Sequence, residues 1–238
     1  MKDEVIGDRA PVCLRCKVPL IKATQSYANL MMSPSFVIRR FETVIGTHGF
    51  AAAKRGRHKK EREAWISAVW ALGLREITGK EYWIEIETKE QTPDCKVHFF
   101  DQSAGSNHRK TQNVEIVEWD EHRADVMEVI TQKCRKAYPG YFFLVVLARN
   151  GKNIDVPDVS RQLNELTVPF GEIWILGRLS AVSTKYGMFL LHPSHKLVEF
   201  DLVEALRKDT RPVDFLKFQK RGKSTRMENL GAAYLPIP

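Results

Sequence analysis

Three carboxylates stand where apolar strands should run without interruption. The stretch "TPDCKVHFFDQSAGSNHRKTQNVEIVEW" (92–119) puts Asp94 at the start of one apolar run and Glu115 and Glu118 inside another. An acid on a covered strand face is costly unless it meets a cation, a donor or water. If 95–100 and 114–119 pair antiparallel, residues 94 and 115 meet near one sheet edge. Two carboxylates converging there offer oxygen ligands to a hard cation, most naturally Mg²⁺. Strand alternation puts Glu115, Val117 and Trp119 on one face and Val114, Ile116 and Glu118 on the other. Glu118 is therefore a secondary candidate, suited to pairing with a basic residue. The competing reading is three solvated strand-end acids, since most acids are exposed.

The flanking pattern supplies the elements that would hold these acids. Trp65, Ala68, Val69 and Leu72 form an amphipathic helical stripe from about Arg57, with Gly73 and Gly79 as candidate stops. "YWIEIE" (82–87), "CKVHFF" (95–100) and "VEIVEW" (114–119) read as three successive strands, neighbours antiparallel. Asp120 is a candidate N-cap for a helix reaching about Ala137. On it Val126, Val129, Ile130, Lys133 and Ala137 share one stripe, so Lys133 faces the sheet and seeks an acid. Lys136 and Arg135 are alternatives to it. "YFFLVVLA" (141–148) reads as a strand buried on both faces. Pro157 opens a short helix, and "EIWILG" (172–177) is the next strand. The order is α-β-β-β-α-β-α-β, an α/β (α+β) fold. Residues 54–180 are expected to form the core. Residues 1–53 read as an extension of irregular structure or short strands. Residues 181–238 read as a C-terminal extension with "YGMFLLH", a helix near 200–208 and a basic tail.

This order, with "PD" opening the second strand and "ExxE" in the third, resembles the PD-(D/E)xK nuclease superfamily over about residues 57–178. The resemblance implies a restriction-endonuclease-like core, a mixed central sheet of about four to five strands flanked by helices. It implies Mg²⁺-dependent hydrolysis of phosphodiester bonds in DNA by an endonuclease, with Mn²⁺ as a substitute ion. Asp94 and Glu115 would be ligands, and the backbone carbonyl of Ile116 a third. The sequence departs from the pattern at position 117, where valine replaces the expected lysine. Some members supply that lysine from the following helix, and Lys133 is the matching residue here. Members also place a glutamate from the first helix at the metal. Glu61, on the line Glu61, Trp65, Ala68, Leu72, resembles it better than Glu63. A capping or solvated role for Glu61 is the competing reading.

The wider composition agrees with an anionic partner. Lys and Arg number 37 against 29 Asp and Glu, a net charge of +8. "KRGRHKKER" (54–62) holds six Lys/Arg, and "KFQKRGKSTR" (217–226) is a second basic stretch. Lys54, Arg55, Arg57, Lys59, Lys60, Lys220, Arg221 and Lys223 are candidates for holding a phosphate backbone. DNA is the expected partner; the same charge allows RNA, and a homodimer is left open. No run is long enough to span a membrane, and the first residues lack a secretory h-region. Four irregularly spaced cysteines fit a reducing cytoplasm. Zinc at Cys13 and Cys16 is not expected, because a structural site needs four ligands and His48 or His58 would have to join. "HPSH" (192–195) reads as a loop. No Walker-type loop or GxSxG is present, so neither ATP use nor serine-hydrolase chemistry is indicated. The alternative function is a catalytically inactive nuclease-like domain that binds DNA or a protein partner.

Overall fold

The computed structural model describes residues 30–49, 51, 58–87, 93–101, 108–120, 122, 125–149, 151–211, 215–221 and 224–229. At 101, 108, 215–221 and 224–229 it describes backbone alone. Five helices and ten strands are present among these residues. They are β1 (Leu30–Met32), α1 (Pro34–His48), α2 (Lys59–Thr78), β2 (Tyr82–Ile86), β3 (Cys95–Asp101), β4 (His108–Trp119), α3 (Val126–Cys134) and β5 (Phe142–Ala148). There follow α4 (Val156–Asn164), β6 (Phe170–Arg178), β7 (Lys185–His192), β8 (Lys196–Asp201), α5 (Leu202–Lys208), β9 (Phe215–Arg221) and β10 (Ser224–Asn229). No helix among the described residues is long and apolar enough to cross a membrane.

The strands form one mixed sheet, ordered β10-β9-β1-β2-β3-β4-β5-β6-β7-β8. From α2 to β6 the order is the α-β-β-β-α-β-α-β of the sequence pattern. The sheet is wider than the expected four to five strands. β1 pairs with β2, β7 with β6 and β8 with β7, so the sheet continues into both flanking segments. The basic stretch near the C-terminus is a hairpin, β9–β10, paired with β1.

Apolar residues of α1, α2 and α5 pack on one face of the sheet, and those of α3 and α4 on the other. β5 is buried over six consecutive residues, as a strand between two helical layers must be. α2 is buried on nearly all sides, because it lies between α1 and the sheet. Trp65 faces α1, with its ring 5.3 Å from Phe41. Trp70 faces the sheet, 6.0 Å from Phe143 and 6.4 Å from Trp174.

Three local expectations are corrected. The segment before residue 53 contains a 15-residue helix: Ser33 Oγ accepts from Phe36 N at 3.2 Å and Pro34 opens the first turn, a pairing that pre-forms a helix start. Gly73 does not stop α2. A side chain there would collide with Met188 and Phe200, so glycine lets the helix settle on the sheet. The stop is Gly79, which is left-handed at φ 66°. Finally, Asp125, not Asp120, caps α3, accepting from Met127 N at 3.0 Å, and the helix ends at Cys134.

Candidate active site

The site lies where β3 starts and β4 runs on. β3 and β4 are antiparallel with Cys95 opposite Val114, which places Asp94 opposite Glu115. Asp94 N donates to Val114 O at 3.0 Å, and Ile116 N donates to Asp94 Oδ2 at 2.9 Å. Asp94 thus ends the ladder with its own side chain. Past this point, among the described residues, β4 pairs only with β5, up to Trp119 opposite Ala148. In an extended strand a residue's N–H and C=O point to the same side. The Ile116 carbonyl therefore faces the open edge beside Asp94.

A cavity of about 440 Å³ occupies that edge, between the first turns of α2 and the end of α3. Lys59, Arg62, Glu63, Ile66, Asp94 and Lys133 are among its lining residues, with Ile116, Val117 and Glu118 from β4.

Glu115 is 2% exposed and faces the α3 layer. Lys133 Nζ donates to its Oε2 at 2.8 Å, and the Tyr138 hydroxyl reaches the same oxygen at 3.5 Å. Glu115 Oε1 is buried without a hydrogen-bond partner. The stripe that carries Lys133 is the one that packs α3 down: Val126, Val129 and Ile130 are buried and the lysine comes one turn later. Position 117 is a partly buried valine packed against that same layer.

The α2 side differs from the sequence reading. Glu61 is not in the cavity. It is 1% exposed and lies 3.3 Å from Arg40 Nη2 and 3.8 Å from His58 Nδ1, on the side of α1. The acid that α2 sends to the site is Glu63, which shares a face with Ile66 and Trp70. Lys60 bridges the two acids, 2.8 Å from Glu63 Oε2 and 3.7 Å from Asp94 Oδ1. Lys59 is 3.3 Å from Glu63 Oε1. Burial pushes the Glu63 carboxyl above its usual range, and the Asp94 charge adds to the rise. Burial would lower the Lys60 ammonium, but its hydrogen bond to Glu63 and the charges of Glu63 and Asp94 hold it above its ordinary value. The Tyr138 phenol is pushed up by burial, then by Glu115 and Asp94. Burial and Glu63 push the Cys95 thiol far up, so Cys95 is an inert neighbour.

Glu118 lies on the opposite face from Glu115 and is paired. Arg62 Nη2 contacts its Oε2, and Arg149 Nη1 lies 3.2 Å from the same oxygen. Lys59 pairs with Glu63 but is 64% exposed, so its ammonium also meets solvent, whereas Lys60 is largely covered. Lys54, Arg55, Arg57, Lys223, Cys13 and Cys16 lie outside the described residues. Lys220 and Arg221 are on β9, four strands from β4, about 19 Å across the sheet.

Of the residues around the site, the sequence reading set Glu63 behind Glu61 and did not name Tyr138. Tyr138 lies four residues past α3, its ring packed on Phe142 at 5.0 Å and Phe170 at 4.8 Å. A tyrosine beside a predicted helix end was the available signal, since a buried phenol needs a polar partner.

No group of three or more His, Cys, Asp or Glu side chains converges to hold a metal among the described residues. Asp94 and Ile116 line the cavity, while Glu115, opposite Asp94 in the register, is buried beneath it against Lys133. Compared with family models, curated proteins and solved structures, the chain has no match.

Proposed function

We propose that the cavity is the active site of a Mg²⁺-dependent nuclease that hydrolyses phosphodiester bonds in DNA as an endonuclease, on a restriction-endonuclease-like core of the PD-(D/E)xK type. One observation carries the reading: Lys133 Nζ lies 2.8 Å from Glu115, the residue opposite Asp94 where β3 begins. A cation from the following helix thus stands beside the acid pair, although position 117 is valine.

Asp94 and Glu115 would hold the ion with the Ile116 carbonyl. The set is all oxygen and contains few side chains, which suits Mg²⁺ or Mn²⁺, ions that keep water and take substrate phosphate as ligands. The buried, unpartnered Glu115 Oε1 fits this assignment, because such an oxygen needs a cation or a donor. When bound, the ion supplies charge stabilisation at the phosphate and a more acidic water. Lys133 fixes Glu115 through Oε2 and offsets charge that grows on the phosphate in the transition state. Lys59 and Lys136 would contact the phosphate backbone, a salt-dependent attraction without sequence information. Lys60 lies between Glu63 and Asp94 and offsets negative charge on that side of the cavity.

A binding-only domain is the second reading. It is favoured by the valine at position 117 and by the engagement of Glu115 with Lys133. Purified protein incubated with plasmid, single-stranded DNA and single-stranded RNA, with Mg²⁺ or EDTA, separates the two. Cleavage of DNA that EDTA and Asp94→Ala both abolish is the expected result. Binding without cleavage of any substrate would favour the second reading. Cleavage that survives EDTA or the substitution would overturn the metal site.

A further inference from the structure

β9 and β10 pair from Leu216 opposite Asn229 to Arg221 opposite Ser224. β1 takes only the start of β9, with Leu30 opposite Lys217 as the last pair. Among the described residues, the sheet beyond Leu30 therefore narrows to a two-stranded ribbon, 218–221 and 224–227.

Register sets the end at which this ribbon projects. One row across the sheet joins Leu216, Met31, Glu85, Lys96 and Asn113. All four pairings in the row are antiparallel, so β9 and β4 leave it in the same direction. Gln219 is then level with Ile116 and Arg221 with Glu118, two of the β4 residues that line the cavity. Ribbon and cavity share one end of the sheet, about 19 Å apart across the strands.

The two faces of the ribbon differ in composition. Directly opposed residues share a face, as do alternate residues along a strand. Lys217, Gln219 and Arg221 thus share a face with Glu228, Arg226 and Ser224. Through Leu30 this is the face that carries α1 and α2. Three cations stand on it against one acid, and that acid is opposite Lys217. The part beyond Leu30 is Gln, Arg, Ser and Arg, a pattern suited to a polar partner and not to an apolar layer. Lys220 is on the other face, in the row of Leu216 and Phe218. A two-stranded ribbon fits the major groove of B-DNA, about 12 Å wide, where arginine reads guanine, glutamine reads adenine and serine serves either.

We propose that the β9–β10 ribbon enters the major groove of the DNA duplex that is held at the cavity, and that Gln219, Arg221, Ser224 and Arg226 form its reading face. The assignment rests on DNA being the partner, and not on its hydrolysis.

The test is fluorescence anisotropy of the full chain in EDTA with a labelled pool of random-sequence DNA duplexes. Arg221→Ala and Arg226→Ala should each weaken binding by about fivefold to tenfold, the lower end for a lost arginine contact. Lys220→Ala should stay within about twofold, although it removes the same charge from the same stretch. Duplex RNA of the same sequences should compete about tenfold less well, because its deep, narrow major groove does not admit the ribbon. Circular dichroism confirms the fold of each variant. Wild-type affinity in the folded double variant of Arg221 and Arg226 would overturn the proposal. So would a loss from Lys220→Ala as large as that from Arg221→Ala, or equal competition by duplex RNA. Asp94→Ala should bind at least as tightly as wild type, so a protein that binds as described but does not cleave supports the ribbon and removes only the nuclease reading.

Discussion

Replacing Lys133 with methionine tests whether Glu115 depends on this lysine. The methionine keeps most of the packed stem and removes the ammonium. Glu115, with its side chain 3% exposed, would keep only the long contact from Tyr138 at 3.5 Å, while Oε1 stays unpartnered. Removing one member of a buried ion pair costs about 3–5 kcal/mol, because a charge is left uncompensated. Lys133 is 15% exposed, so water can reach part of the gap and the lower end applies, about 3 kcal/mol. For a chain of this size each kcal/mol moves the melting temperature by about 2–4 °C, which gives a drop of about 6–12 °C. Thermal and urea unfolding at neutral pH would measure it. Adding Glu115→Gln should recover most of the loss, since removing both charges leaves nothing uncompensated. A Lys133→Met protein within about 0.5 kcal/mol of the wild type would refute the pairing, as that is the usual scatter for surface substitutions.

Three further outcomes follow from neighbouring groups. Glu63 has a folded-state pKa raised above its ordinary 4.5, so its stabilising contribution is present in acid and lost as pH rises through the raised value; the Glu63→Gln protein should lack this decline in a pH series of urea midpoints, and an unchanged pH profile would contradict it. Lys59→Ala should weaken DNA binding about equally for all sequences and reduce the slope of log K against log salt by about one contact, measured by fluorescence anisotropy. Glu61→Gln should leave DNA cleavage within about twofold of wild type but lower stability by about 3 kcal/mol, because Glu61 faces Arg40 and not the cavity; a large loss of cleavage in a folded protein would return Glu61 to the site.

What could be read from the sequence was whatever depended on neighbours a few residues apart. Alternation along 114–119 and a connection short enough for an antiparallel pair placed Asp94 opposite Glu115, as the register has it. The helical stripe that carries Lys133 gave the lysine's direction, because α3 rests on the sheet by one face only. The same logic failed on α2, which is covered on two sides. Its Glu61–Trp65 line is apolar because α1 packs there, while the sheet takes the face with Ile66 and Trp70. A stripe shows that a face is buried, not what covers it, so the pattern points to Glu61 whereas Glu63 is the α2 acid that lines the cavity. The width of the sheet was hidden for a related reason. β1 finds β9 nearly two hundred residues away, and a three-residue strand carries too short a pattern to reveal such a partner. Ser33-Pro34 is a legible helix start, but the Pro and Gly residues around it dilute the signal.

The claim that Asp94, Glu115 and Lys133 form one hydrolytic centre is tested most directly by single-turnover cleavage of a supercoiled plasmid with excess protein and saturating Mg²⁺. Wild type and Lys133→Met should be compared well below the variant's melting temperature, with DNA affinity measured in parallel. The expected result is a loss of about 10²- to 10³-fold in the cleavage rate at nearly unchanged affinity, the size of losing one preorganised charge at the transition state. Equal cleavage rates in the two folded proteins would contradict it.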